Sequence, residues 1–335
     1  MPSALPRKAA LVGPATERTG LLLERFRALA AEDGGAAEFI HVDSEQPQDD
    51  VAASLRDVVA IVPTAPGCVD TSVLCSLPEL RLVQTTSAGT DWLDKHTLHK
   101  SGVAVANNGG GNAVAVAEHA IWLIVAVNRR LHEQIANARS GAWWADFDDR
   151  WDTAHDLDGQ TVGIVGLGRI GSRVARRLQG WDCKVIYHDV AEFPEEYEQE
   201  LEVERVPFDE LLRSADVVTL HVPLERTTRH MMSTPQFQAM KNSAILINTC
   251  RGPVVDEKAL ALALSAGEFF GAGLDVTEVE PIEMDNPLLS MPNVVLTPHL
   301  ATKAVESSQK SVEFAARNIS RVARGEEPES VVPPV

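Results

Sequence analysis

The sequence predicts an α/β protein with two doubly wound parallel sheets. Three observations predict it: two series of short apolar runs alternate with helical patterns, a glycine-rich turn opens the second series, and a long helical pattern follows the last strand. At 335 residues the chain is long for one core and comfortable for two. In the first series, Ala9–Val12, Glu38–Val42, Val58–Val62, Leu80–Gln84 and Val103–Ala106 read as strands. Glu17–Ala31 has helical apolar spacing, and Asp91–Lys100 reads the same way with Asp91 as its cap. Both series fit Rossmann-like or flavodoxin-like domains.

The longest helical pattern, Ala113 to Arg130, is apolar nearly all round as far as Val127, with Glu118 and His119 excepted. Such a helix must be buried, here between domains or subunits. Gly141 to Trp151 is aromatic and acidic without a clean period and reads as a loop. The second series supplies strands at Thr161–Val165, Lys184–His188, Asp216–His221, Ala244–Asn248, Phe270–Asp275 and Val294–Thr297. A final helix is expected over roughly Thr302 to Arg324.

Composition excludes several classes of function. Apolar residues at 44% and charged residues at 23% are those of an ordinary globular protein. The formal net charge is 30 − 48 = −18. That field repels phosphate backbones and anionic lipid, so neither a nucleic acid nor a membrane is an expected partner. An anionic substrate would need local positive groups. Cys68, Cys75, Cys183 and Cys250 form no Cys-x-x-Cys pair, and no neighbouring histidines complete a zinc pattern, so no metal is expected. Four reduced thiols, and a start without the apolar core of a secretory signal, fit a cytoplasmic protein. The longest uncharged apolar run, Ala120 to Val127, is far short of the ~20 residues that span a bilayer.

The clearest motif is Thr161-Val-Gly-Ile-Val-Gly166-Leu-Gly168-Arg-Ile-Gly171: an apolar strand, a Gly-x-Gly-x-x-Gly turn and a helical run. Gly166 permits the tight turn, Gly168 lets a pyrophosphate approach the backbone, and Gly171 allows close helix–strand packing. The helix N-terminus then turns free amides toward phosphate. The next strand ends at Asp189, about 20 residues beyond the glycines, where a ribose-binding carboxylate belongs. A dinucleotide is therefore expected. Asp189 repels a 2′-phosphate, and Val190-Ala-Glu192 offers no arginine to offset this, so the cofactor is expected to be NAD rather than NADP.

Charged groups cluster at three later strand ends: Arg251 in Asn248-Thr-Cys-Arg-Gly252, Asp275 and Glu280 in Leu274-Asp-Val-Thr-Glu-Val-Glu-Pro281, and His299 in Thr297-Pro-His299. Carboxyl ends of parallel strands are where open α/β sheets bind ligands. An arginine, an acid and a histidine converging there could bind an oxo-acid, orient an imidazole and donate a proton. Read alone, each has a structural alternative: a salt-bridge arginine, a surface glutamate, a hydrogen-bonded strand-end histidine.

These segments, in this order, resemble the D-2-hydroxyacid dehydrogenases. The resemblance includes Ser87-Ala-Gly89-Thr-Asp91, Val116-Ala-Glu-His119, the glycine turn, the Arg251 block, Asp275 with Glu280-Pro281, and Pro298-His299. It implies an NAD-dependent oxidoreductase that moves a hydride between nicotinamide and C2 of a small 2-hydroxy/2-oxo acid, with a glyoxylate- or hydroxypyruvate-like substrate. By that resemblance, Arg251 holds the substrate carboxylate, His299 is the acid/base at the C2 oxygen, and Glu280 pairs with His299. Ala88 and Gly89 offer amides to the carboxylate. Arg169 and Ile170 contact the pyrophosphate, Asp189 the ribose, and Thr249, Cys250 and Asp275 lie along the cofactor, which Arg251 and His299 also approach. His119 has no matched role beyond helix packing.

The resemblance also implies a discontinuous substrate domain (1–110 and 300–335) with an NAD-binding Rossmann domain (111–299) inserted, crossing near Gly109–Asn112 and His299–Thr302. It implies a homodimer through the apolar helix. Trp143, Trp144 and Trp151 serve subunit packing or reach a neighbour's pocket, and Pro63 to Pro66 with Ser87 to Thr90 line the substrate's side chain. A different class of reading is an NADH-sensing corepressor of the same fold. Among cousins, formate dehydrogenases pair the histidine with glutamine, which Glu280 opposes, and phosphite dehydrogenases carry a lysine in the loop matching Thr86–Asp91, where this chain has none.

Overall fold

The computed structural model describes residues 5–143 and 153–334. It divides into two compact units, 1–112 with 304–335 and 113–303.

The first unit holds strands β1 (Arg7–Gly13), β2 (Ala37–Asp43), β3 (Val58–Pro63), β4 (Leu82–Gln84) and β5 (Ala104–Ala106). They form one parallel sheet in the order β2-β1-β3-β4-β5. Helix α1 (Glu17–Glu32) begins at Thr16, whose hydroxyl accepts from the Thr19 amide. Two short helices follow, α2 (Gln48–Ser54) and α3 (Thr71–Ser76). Alternation along β1 sends Ala9 and Leu11 into one apolar layer and Ala10 and Val12 into the other. The helix expected from Asp91 is shorter: α4 spans Lys95–Lys100, and its cap is Asp94, which accepts from the Thr97 amide at 3.0 Å. The carboxylate of Asp94 takes one of the first free amides of the helix, which fixes its start there.

The second unit opens with α5 (Ala113–Asn128) and α6 (Leu131–Ser140). The sequence reading did not separate α6. Its strands are β6 (Thr161–Val165), β7 (Lys184–His188), β8 (Val203–Arg205), β9 (Val217–Leu220), β10 (Ile245–Asn248), β11 (Gly271–Leu274) and β12 (Val294–Leu296). All are parallel, in the order β12-β11-β10-β9-β6-β7-β8. The edge strand β8 went unread because Val203-Glu-Arg205 has almost no apolar content. Helix α7 (Gly171–Leu178) follows the glycine turn. After it come α8 (Glu195–Leu201), α9 (Phe208–Ser214), α10 (Thr234–Ala239) and α11 (Glu257–Ala266). The chain then returns to the first unit as α12 (Val305–Ala323), whose Val312, Ala315 and Ile319 join Leu11, Phe26 and Val62 in one layer.

The apolar helix α5 packs on this unit's own sheet, against β10, β11, β12 and α7. Its Ala117, Leu123 and Ile124 are buried with Val162, Ile245 and Ile247. A seven-stranded sheet has two apolar faces to cover, and α5 covers one of them with one of its own faces, while Trp122 on α5 is exposed. Trp143 is exposed, whereas Trp144 and Trp151 lie outside the described residues.

Candidate active site

Because every strand of the second unit is parallel, their carboxyl ends share one edge. Along it stand the glycine turn after β6, Asp189 after β7, His221 after β9, Thr249 to Arg251 after β10, Asp275 after β11 and His299 after β12.

The glycines of the turn differ in what they make possible. Gly166 has φ +93°, and its amide donates to the His188 carbonyl at 2.8 Å. At Gly171 an added Cβ would lie 2.0 Å from the Gly166 carbonyl oxygen, so only glycine lets α7 start this close to β6. Gly168 is exposed, and a Cβ there would meet nothing within 4 Å. The chain itself does not require glycine at 168, which fits a position kept open for a ligand. Arg169 is exposed and Ile170 half-buried beside it. The Asp189 carboxylate is aimed at the turn: the amides of Leu167 and Ala191 donate to its two oxygens at 2.7 and 2.8 Å.

At the end of β10, the Thr249 hydroxyl oxygen is buried and has no hydrogen-bond partner. A bare hydroxyl beside a glycine cradle fits a polar group arriving from outside, and with Asp189 these residues suit a dinucleotide. The neighbouring Cys250 is buried, and burial pushes its thiol up to about 11. It donates to Asn248 Oδ1 at 3.0 Å and stays a protonated, inert thiol at neutral pH. Asn248 also accepts from the Cys250 amide and donates to the Arg251 carbonyl, so this buried amide shapes the turn that presents Arg251. Arg251 is half-buried, with Nη1 donating to the Cys250 carbonyl at 2.8 Å.

His299 Nδ1 lies 2.6 Å from Glu280 Oε2, both side chains being more than a third exposed. An ionised carboxylate there accepts the Nδ1 proton and leaves Nε2 for chemistry. The second Glu280 oxygen accepts from the Thr277 amide. His299 itself has φ +54°, a conformation that costs a non-glycine residue roughly 1–2 kcal/mol. The surrounding bonds hold it there. The His299 amide donates to the Asp275 carbonyl at 2.8 Å. The buried Asp275 carboxylate accepts from Thr297 Oγ1 at 2.6 Å and from the amides of Leu300 and Ala301 at 2.9 Å. Asp275, expected beside the cofactor, thus turns its carboxylate back onto the chain and clamps the segment that carries His299. His119 of α5 also reaches this segment, with Nε2 2.9 Å from Thr297 Oγ1.

The second unit therefore brings Arg251, Glu280 and His299 to one sheet edge with the glycine turn and Asp189. Ala88 and Gly89 belong to the first unit, in the loop after β4. That loop is held by bonds from Thr85 Oγ1 and the Asn108 amide to the Ser87 carbonyl, and from Ser87 Oγ to the Gly89 carbonyl. Sequence reasoning missed Asn248, Thr297 and the reach of His119. The available signals were an asparagine ending a buried strand and a polar pair, Glu118-His119, in an otherwise apolar helix. Among the described residues no group of three metal-ligating side chains occurs, and no helix is long and apolar enough to cross a membrane.

A doubly wound sheet with a dinucleotide turn and a carboxylate-oriented histidine at its carboxyl edge defines a nicotinamide-dependent oxidoreductase. Comparison with known proteins gives the family. The NAD-binding domain of the D-isomer-specific 2-hydroxyacid dehydrogenases matches residues 121–301. The chain is 41% identical over 278 residues to a glyoxylate reductase of Korarchaeum cryptofilum, covering 83% of each. It superposes on a glyoxylate reductase structure from Paecilomyes thermophila with TM-score 0.83 and 29% identity, covering 99% of each chain. It superposes on D-lactate dehydrogenase with NAD+ from Lactobacillus jensenii with TM-score 0.77 and 30% identity, covering 97% and 99%. This chain belongs to the D-isomer-specific 2-hydroxyacid dehydrogenase family. It is an NAD-dependent oxidoreductase of 2-hydroxy/2-oxo acids.

Proposed function

We propose that this protein interconverts glyoxylate or hydroxypyruvate and the corresponding 2-hydroxy acid. The observation that carries the chemistry is the 2.6 Å Glu280–His299 pair on the same sheet edge as Arg251. The similarity to glyoxylate reductases supports the substrate. NAD supplies or accepts the hydride at C2. Gly166, Gly168 and Gly171 cradle its pyrophosphate beside Arg169 and Ile170, Asp189 accepts from the ribose hydroxyls, and Thr249 and Cys250 border its path. Arg251 pairs with the substrate carboxylate and polarises the C2 oxygen, and the amides of Ala88 and Gly89 add donors. In reduction, His299 Nε2–H gives its proton to the C2 oxygen as hydride arrives at carbon; in oxidation, neutral Nε2 takes the hydroxyl proton back. Glu280 accepts from Nδ1 throughout and holds the ring so that Nε2 is left for the C2 oxygen. Asp275 holds the His299 segment and does not contact the reacting atoms.

A panel of 2-oxo acids, from glyoxylate and hydroxypyruvate to branched and aromatic ones, followed by NADH oxidation, tests the substrate. The highest kcat/KM is expected with one of the first two, and a preference for an aromatic 2-oxo acid would overturn it. In this reading the second unit carries the contacts to NAD together with Arg251, Glu280 and His299. The exposed Trp122, Ile135 and Trp143 on and just beyond α5 and α6 support a homodimer, checked by light scattering at micromolar concentration. Four free cysteines suit a cytoplasmic enzyme.

A further inference from the structure

We infer that His119 is a positioning residue for His299, acting through a hydrogen-bonded chain, His119 Nε2–H to Thr297 Oγ1–H to Asp275, that ties helix α5 to the segment 297–301. The inference rests on the assignment of His299 as the proton donor and extends it to a side chain 180 residues away in sequence.

The directions of the bonds follow from the distances. Thr297 Oγ1 lies 2.6 Å from Asp275 Oδ1, and a carboxylate only accepts, so the hydroxyl proton points to Asp275. The oxygen of Thr297 is then left to accept, and His119 Nε2, at 2.9 Å, must donate to it. The imidazole is placed to do this in its neutral form, because burial depresses its pKa against the opposing pull of Asp275. Nε2 is also 3.5 Å from Asp275 Oδ1, so the ring supports the carboxylate as well as the hydroxyl.

The consequence lies two residues on. Asp275 Oδ1 receives both Thr297 Oγ1 and the Leu300 amide, and Oδ2 receives the Ala301 amide. Between them His299 sits at φ +54° with its own amide on the Asp275 carbonyl. A left-handed histidine persists only where its neighbours over-determine it. Thr297 is the one member of this clamp bonded through a rotatable hydroxyl, and His119 is what fixes that rotor. α5 is in turn anchored by Ala117, Ala120 and Leu123 in the sheet's apolar layer. The rigid helix thus sets the orientation of a segment that short-range bonds alone would leave freer.

The test uses the full-length protein and four variants. Gln places an amide N–H where histidine has Nε2, and Asn places one where it has Nδ1, so His119→Gln keeps the bond and His119→Asn loses it. His119→Asn and Thr297→Val should each lower kcat for reduction about tenfold or more, with KM for NADH unchanged, since misplacing a reacting group by ~1 Å costs up to 10²-fold. His119→Gln should stay within about threefold of wild type. Without any cofactor, hydrogen exchange at the Leu300 and Ala301 amides should accelerate in His119→Asn and Thr297→Val and not in His119→Gln. Equal losses in Gln and Asn, or unchanged exchange and kcat in Asn, would overturn the positioning role and leave His119 as helix packing. His299→Ala serves as the reference. Full activity in that variant would overturn the catalytic assignment itself, whereas an inactive His299→Ala beside an unaffected His119→Asn would overturn only the inference.

Discussion

Two stretches of the same sheet edge, the turn at 166–171 and the segment at 297–301, present functional groups by opposite means. The turn is built locally. Its shape depends on the missing side chains of Gly166 and Gly171, and its partner carboxylate, Asp189, is locked by two nearby amides. The His299 segment contains no glycine. It holds a non-glycine residue at positive φ by means of Asp275, just after β11, and His119 of α5, 24 and 180 residues away in sequence. A ligand cradle can be made by deleting atoms. The proton donor proposed at His299 needs its side chain, so its backbone has to be held by bonds from elsewhere.

That contrast can be broken or sharpened by substitution. The largest effect should come from His299→Ala, with kcat falling about 10²–10⁴-fold in both directions while NADH titration by fluorescence shows nearly normal affinity. Comparable loss of NADH binding would mean that the segment shapes the cofactor site and that the two regions are not separable. Arg251→Lys should follow. A point ammonium cannot reproduce a guanidinium fork on a carboxylate, so kcat/KM should drop about 10- to 100-fold, mainly through substrate KM. Unaffected turnover would reassign Arg251 to the turn that Asn248 shapes.

The two glycines then separate fold from ligand. Gly171→Ala forces a Cβ to within 2.0 Å of a backbone oxygen that cannot move aside freely, and should lower stability by about 1–3 kcal/mol in urea unfolding. Gly168→Ala meets no atom of the chain, so its Tm should match wild type while KM for NADH rises. If both variants behaved alike, the distinction between packing glycine and ligand glycine would fail.

Glu280→Gln should have the smallest effect. The amide oxygen keeps an acceptor for His299 Nδ1, so kcat should fall only about threefold with KM for NADH unchanged, whereas Glu280→Ala, which removes the partner 2.6 Å away, should lose clearly more. Equal kcat in the Gln and Ala variants would mean that the pair does not orient the ring.

The sequence by itself determined the class of fold, the glycine turn with Asp189, and the placing of Arg251, Glu280 and His299 after strands that end at one edge. The reason is that these are local or topological signals. Strand periodicity and glycine spacing are written within a few residues, and a parallel sheet collects whatever follows its strands at one edge. Tertiary structure decided the rest. The short edge strand β8 exists only because β7 offers it a ladder. The helix α4 is capped by Asp94 rather than Asp91, because it is the Asp94 carboxylate that accepts from the Thr97 amide. Asp275 was legible as important but not as a clamp, and His119 was legible only as a packing residue, since both bond to groups whose nearness is created by folding α5 and β12 onto the same sheet. Side-chain direction over such sequence distances depends on packing, which no local pattern encodes.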